Sequence, residues 1–270
     1  MPGIKEMPYW KWALLLVAAL LLAALLYGVS SAIELFPEGW PHNLAAVVVA
    51  AAMLWLYAWF TKLLEKEPCK DLPLKKAAGH LGLGLLTALL YFCIVAGVMA
   101  LCGCYRITGI GHDWKGIFNS FFLFLIVAIG EEILFRGVLY RWIREKTGYV
   151  TALVVSSLIF GFVHITNPNG TLWSSVAIAI EAGLLLGAAY EWSGTLWLPI
   201  GIHWAWNFSQ GNVFGFAVSG QEAGASLLLS QVEGPAWITG GDFGAEASVV
   251  ATLAGAALSA WFIWQISRRK

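Results

Sequence analysis

The sequence predicts an all-α fold, a polytopic bundle of about eight transmembrane helices with both chain ends on the cytoplasmic side. Three observations carry the prediction. Of 270 residues, 59% are hydrophobic and only 12% charged, about half the charged share of an average soluble domain. The apolar residues gather in runs close to the ~20 residues that cross a bilayer. The cations gather in alternate connections between those runs, which is the pattern of the positive-inside rule.

The runs fall at about 12–33, 44–64, 79–101, 117–140, 150–166, 172–190, 195–210 and 247–266. The first follows Lys5 and Lys11 and exceeds the ~7–15-residue core of a signal peptide. It therefore reads as a retained helix, with a weak cleavage alternative at Ser30 to Ala32. Lys62, Lys66, Lys70, Lys75 and Lys76 lie between the second and third runs, and Arg141, Arg144 and Lys146 follow the fourth. Arg268, Arg269 and Lys270 end the chain, whereas the alternate connections hold only Arg106 and Lys115. The runs between 150 and 210 are short and closely spaced, so re-entrant or buried segments stand as an alternative there. One membrane domain covers 1–270, with core helices at 117–210. The Gly-rich stretch 211–246 carries only acidic charges, Glu222, Glu233, Asp242 and Glu246. It is expected on the non-cytoplasmic side, either as a lid or as an ordinary exposed loop. A formal net charge of zero gives no electrostatic case for nucleic acid as a partner; the bilayer is the expected surrounding. Cys69, Cys93, Cys102 and Cys104 lack zinc-ribbon or C-x-x-C spacing. Cys102 and Cys104 read as small residues at a membrane boundary rather than as a thiol pair. Trp40, Trp55, Trp59, Trp142, Trp173, Trp192 and Trp197 read as an interfacial belt.

Against this apolar background the polar residues inside the runs stand out. Glu131 and Glu132 interrupt FFLFLIVAIG-EEILFRGVLY, and each acidic residue at a helix centre costs ~2.5–3.5 kcal/mol on the insertion scale. Glu132 and Arg136 are four apart with the Glu first, the favourable order for a helical ion pair, so the pair is expected to be structural. Glu131 lies about 100° round the helix and lacks that partner. Desolvation of an unpaired carboxylate favours its neutral form, as a general base or acid working near neutral pH needs. His42, His80 and His112 fall at helix ends or loops. His164 closes the run SSLIFGFVH, and His203 lies inside LWLPIGIHWAWNF with Asn207 four residues on. At 1.5 Å per residue Glu131, His203 and His164 lie ~15, ~12 and ~20 Å from the cytoplasmic ends of their helices, so tilt can bring them to one level. A carboxylate and two imidazoles suit attack of water on a carbonyl, and they also form a possible His-His-Glu zinc set. The chain lacks H-E-x-x-H and G-x-S-x-G. Gly241-Asp242 sits in a polar loop without a partner Asp in a helix, so an aspartyl site is set aside.

These residues resemble the motifs of the CPBP family, which includes the type II CAAX prenyl endopeptidases, bacteriocin-processing proteins and abortive-infection proteins. The motifs E-E-x-x-x-R, F-x-x-x-H and H-x-x-x-N stand here as EEILFR (131–136), FGFVH (160–164) and HWAWN (203–207). The resemblance covers roughly 117–210, and GPAWITGGDFGAEAS looks like a bacterial subgroup. It implies an intramembrane endopeptidase that cleaves near a membrane-anchored terminus of a protein or peptide, in a bacterial inner membrane. By that analogy Glu131 and His164 polarise the attacking water, while His203 and Asn207 stabilise the oxyanion. Glu132 and Arg136 support the site and Phe160 packs beside it. The expected cofactor is none. The metal-dependent alternative places zinc on Glu131, His164 and His203, but Asn207 beside His203 looks more like an oxyanion donor pair than a ligand set. Glu181, a further carboxylate in an apolar run, is expected either to back the site or to pair elsewhere in the bundle. Two other functions fit the same residues: a non-catalytic immunity or scaffold protein, and a proton-coupled transporter, since intramembrane Glu and His build proton relays.

Overall fold

The computed structural model describes residues 7–30, 39–65, 68–222 and 224–269. All eight predicted runs are helical. They are α1 (Tyr9–Ser30), α2 (Trp40–Glu65), α3 (Leu74–Leu101), α4 (Trp114–Glu132) running on into α5 (Arg141–Thr147), α6 (Tyr149–Val163), α7 (Leu172–Ile178) running on into α8 (Leu185–Ser193), α9 (Trp197–Phe208) and, after the four-residue α10 (Ala236–Thr239), α11 (Val249–Ser267). Residues 31–33 of the first predicted run, with most of the alternative cleavage site, lie outside the described residues. Among the described residues five helices are long and apolar enough to cross a membrane: Trp40–Leu63, Leu74–Leu101, Tyr149–Thr166, Leu172–Ser193 and Val249–Ser267.

Local chemistry sets the helix ends. The Asp113 side chain accepts from Gly116 N at 2.9 Å and starts α4. Thr171 and Ser174 form a reciprocal capping box at α7, and Ser248 caps α11 by accepting from Ala251 N at 3.0 Å. Gly194, in the left-handed region at φ 65°, closes α8 and turns the chain straight into α9.

Two stretches of wide π-helical turn, Ile133–Tyr140 and Ala179–Leu184, join α4 to α5 and α7 to α8 without ending the helix. A third, Ser209–Val213, extends α9. Such turns add a residue to the ring each hydrogen bond closes, and they are frequent at functional sites. Small residues set the closest crossing. A Cβ on Gly84 of α3 would lie 2.6 Å from Ile202 N, and one on Gly201 of α9 2.6 Å from Leu81 O. The α3 and α9 backbones are therefore in contact, the arrangement that small residues permit between membrane helices. It fixes the height of His203, two residues beyond Gly201.

Two features depart from the all-helical expectation. Tyr105–Ile110 forms a strand, β1, and pairs antiparallel with β2 (Leu228–Val232). The alternation of YRITGI is short, so the apolar runs on either side mask it. The stretch 211–246 is accordingly not a free loop. Tyr105 Oη donates to Phe214 O at 2.9 Å and Asn212 Nδ2 to Ala225 O at 2.6 Å. This cap lies over the end of α9. The tryptophan belt is also incomplete, because Trp142 and Trp197 are core residues, while Trp40, Trp55, Trp59 and Trp173 are exposed as expected. The four cysteines are free thiols.

Candidate active site

Glu132 and Arg136 form the predicted i,i+4 pair, with Arg136 Nη1 donating to Glu132 Oε1 at 2.9 Å. Both are sealed from solvent, at 0% and 1% exposure. The guanidinium also donates to Gly183 O at 3.0 Å, a carbonyl in the wide turn between α7 and α8. Its other neighbour is the Phe160 ring, 4.5 Å from the guanidinium carbon, a cation–π contact in a desolvated setting.

The same Glu132 Oε1 takes a second contact that the sequence does not predict: His203 Nδ1 lies 2.9 Å away. A carboxylate only accepts, so Nδ1 carries the proton and the lone pair of the neutral ring sits on Nε2. That Nε2 stands 3.9 Å from Glu131 Oε2. His164 is fixed in the same tautomer by a different acceptor. It ends α6, and its Nδ1 lies 2.7 Å from Phe160 O, leaving Nε2 as the free acceptor. The Phe160 ring spaces the two imidazoles, with its centroid 5.0 Å from His164 and 6.0 Å from His203.

A cleft of about 390 Å³ opens on these groups. Glu131, His164, His203 and Asn207 all line it. Three separate helices thus bring the four predicted residues to one space. Glu131 Oε2 is buried and has no hydrogen-bond partner within the protein. Leu123, Phe124 and Val127 of α4 make an apolar wall, and Val218, Ser219, Gln221 and Glu222 of the cap make a more polar one. Glu132, Arg136 and Phe160 stand behind the lining.

Glu181 is not brought to the cleft. It is fully buried, accepts from Tyr91 Oη at 3.1 Å, and has Gly255 of α11 pressed against its stem. Among the described residues no group of three or more His, Cys, Asp or Glu side chains is placed to hold a metal ion. Glu131, His164 and His203 share the cleft without forming such a set.

The sequence did not single out Glu246, which falls in the acidic stretch 211–246 expected to be either a lid or an exposed loop. It is buried and accepts from the backbone N of Ser219. Burial pushes its carboxyl above the usual carboxylate range, opposed by the nearby His164 imidazole and by the hydrogen bond from Ser219. A lone Glu between Ala245 and Ala247, after a glycine-rich stretch, gives no periodicity from which burial could be read.

Residues 113–209 match the family model described as type II CAAX prenyl endopeptidase Rce1-like. Two relatives come from Bacillus subtilis (strain 168). "Uncharacterized protein YpbD" is 37% identical over 89 residues, 33% of this chain and 42% of the relative. "Putative membrane peptidase YdiL" is 28% identical over 136 residues, 46% of this chain and 53% of the relative. The chain thus spans about half the length of the curated relatives it matches. No solved structure matches it. The matched segment holds all three motifs and the four motif side chains that line the cleft, so over residues 113–209 the chain is similar to the Rce1-like type II CAAX prenyl endopeptidases.

Proposed function

We propose that the chain is an intramembrane endopeptidase that hydrolyses a peptide bond near the membrane-anchored end of a protein or peptide. The observation that carries this reading is the unpartnered Glu131 Oε2 in a cleft shared with two imidazoles whose Nδ1 protons are already committed. Water held between Glu131 and His164 Nε2 attacks the carbonyl carbon, and Glu131 takes its proton. The new C–O bond places the negative charge on the former carbonyl oxygen, where Asn207 Nδ2 donates. The proton on Glu131 has a short onward path, because His203 Nε2 is 3.9 Å away. The imidazolium so formed stays held by Glu132 and donates first to the oxyanion. It then gives the proton to the amine nitrogen as the C–N bond breaks. The pathway uses no metal.

The apolar wall of α4 opposite the polar cap suits a substrate that leaves a hydrophobic anchor beside a polar segment. Eight membrane crossings with both ends cytoplasmic, in the plasma membrane of a bacterium, fit the distribution of cations in the sequence.

The test is a quantitative map of protein termini in cells carrying the wild-type chain or Glu131→Gln at equal abundance. New termini confined to the wild type are the expected result and name the substrate. Identical termini, with any phenotype surviving the substitution, would refute the peptidase and favour a scaffold or immunity role. Identical termini with a phenotype that depends on both Glu131 and a pH gradient would favour transport.

A further inference from the structure

The cap touches the catalytic elements through one buried carboxylate. Glu246 precedes α11 and is 3% exposed. It accepts from Ser219 N, and the Trp206 indole of α9, the helix of His203 and Asn207, faces it. Ser219 lines the cleft and is held in the left-handed region, at φ 48°. A non-glycine residue is seldom found there, and the conformation persists only where neighbours over-determine it. Ser219 O in turn accepts from Asn167 Nδ2 at 3.1 Å, and Asn167 is the third residue after His164 and also lines the cleft. The next residue, Gly220, lies so close to the same loop that a Cβ there would fall 1.7 Å from Pro168 O.

We propose that Glu246 is a positioning residue for the reaction: it locks the left-handed Ser219 of the cap, and through it the loop after His164, against the helix that carries His203 and Asn207. The proposal rests on the endopeptidase reading for its chemistry, but the docking of the cap is measurable without it. Glu is suited to the place because its two acceptor oxygens can serve a backbone N–H and an indole N–H together. Gln offers one acceptor oxygen and Ala none. The left-handed Ser219 then relaxes and the His164 loop loses its tether. A displacement of about 1 Å at such a site costs on the order of 100-fold in rate.

The experiment combines two readouts on the full chain in detergent micelles or nanodiscs, for Glu246→Gln and Glu246→Ala beside wild type. Amide exchange is followed at 164–170 and 217–221, with α6 and α9 as internal references. Peptidase kcat and KM are measured on the substrate named by the termini map. The expected result is graded: exchange accelerates at those two segments alone, most in Glu246→Ala. In parallel kcat falls by about 10-fold or more, with KM changed far less. Glu246→Gln lies between wild type and Glu246→Ala, and as the near-isosteric variant it keeps the comparison open if Glu246→Ala does not fold. Exchange rising uniformly through α6 and α9 as well would mark a merely fold-stabilising carboxylate and overturn the proposal, as would wild-type exchange and kcat in both variants. If wild type cleaves nothing, the endopeptidase reading fails, and local exchange still decides whether Glu246 holds the cap.

Discussion

Replacing Arg136 with Met probes the buried charges behind the cleft most directly. Met fills much of the space of the arginine stem, so packing changes little. What is lost is electrostatic: Glu132, at 0% exposure, loses the donor 2.9 Å away. Gly183 O loses its 3.0 Å contact, and the cation over Phe160 disappears. Removing one partner of a buried ion pair costs about 3–5 kcal/mol, because the remaining charge is left uncompensated. An orphaned carbonyl adds about 1–3 kcal/mol. Arg136→Met should therefore destabilise the protein by roughly 4–8 kcal/mol. Adding Glu132→Gln removes the stranded charge while leaving an acceptor oxygen for His203. The double variant should recover about 2 kcal/mol or more, a coupling within the range for residues of one network. Equilibrium unfolding in mixed micelles, followed by tryptophan fluorescence, measures all three variants. An Arg136→Met cost below about 1 kcal/mol, or a double variant equal to the sum of the singles, would refute the assignment of this pair as the neutralising core of the site.

Other expectations concern the chemistry and the packing. Asn207→Ala should lower kcat by about 100–1000-fold with little change in KM, as loss of an oxyanion donor does; a pure KM effect in steady-state cleavage would remove Asn207 from that role. Gly161→Ala should cost about 1–3 kcal/mol by overpacking, because its Cβ would lie 2.2 Å from Ser175 O. Gly97→Ala, with nothing within 4 Å, should be neutral or slightly stabilising in the same unfolding assay. The raised carboxyl of Glu246 gives a pH dependence whose sign is defined. A folded-state value above the unfolded one means the fold holds the proton more tightly, so the stabilisation is full below the ordinary carboxylate range and is lost as pH rises through the raised value. Glu181, Tyr91 and His164 are titratable neighbours of Glu246, and Glu246→Gln isolates the one contribution. The melting temperature of wild type should fall across that window more steeply than that of Glu246→Gln; parallel curves would contradict the assignment.

Much of the site was legible because membrane burial makes polar residues conspicuous. Glu131, His164, His203 and Asn207 each interrupt an apolar run, and the structure gathers them at one cleft. The i,i+4 pairing of Glu132 with Arg136 also follows from helix geometry alone. The contact of Glu132 with His203 does not, because it joins residues 71 apart and depends on how α9 crosses α4. The same holds for the wide turns, since nothing in ILFRGVLY marks a change of helical pitch. Glu181 was equally ambiguous: an apolar run shows that a carboxylate is buried but not which way its helix turns it. The cap was least legible, for its strand is five residues long and its buried Glu246 follows a glycine-rich stretch.

The segment Leu172–Ser193 is 72% buried, against 28–39% for the other four long apolar helices. That difference bears on how the protein is made. A ribosome delivers this helix before α11, the element whose Gly255 seats directly against Glu181. Until α11 arrives, the stem of this buried carboxylate lacks its cover. The packing of this middle segment is thus complete only once α11 is in place. A chain stopped before residue 249 would leave the stem of Glu181 without its Gly255 cover, with Tyr91 of α3 as the remaining hold on its carboxylate.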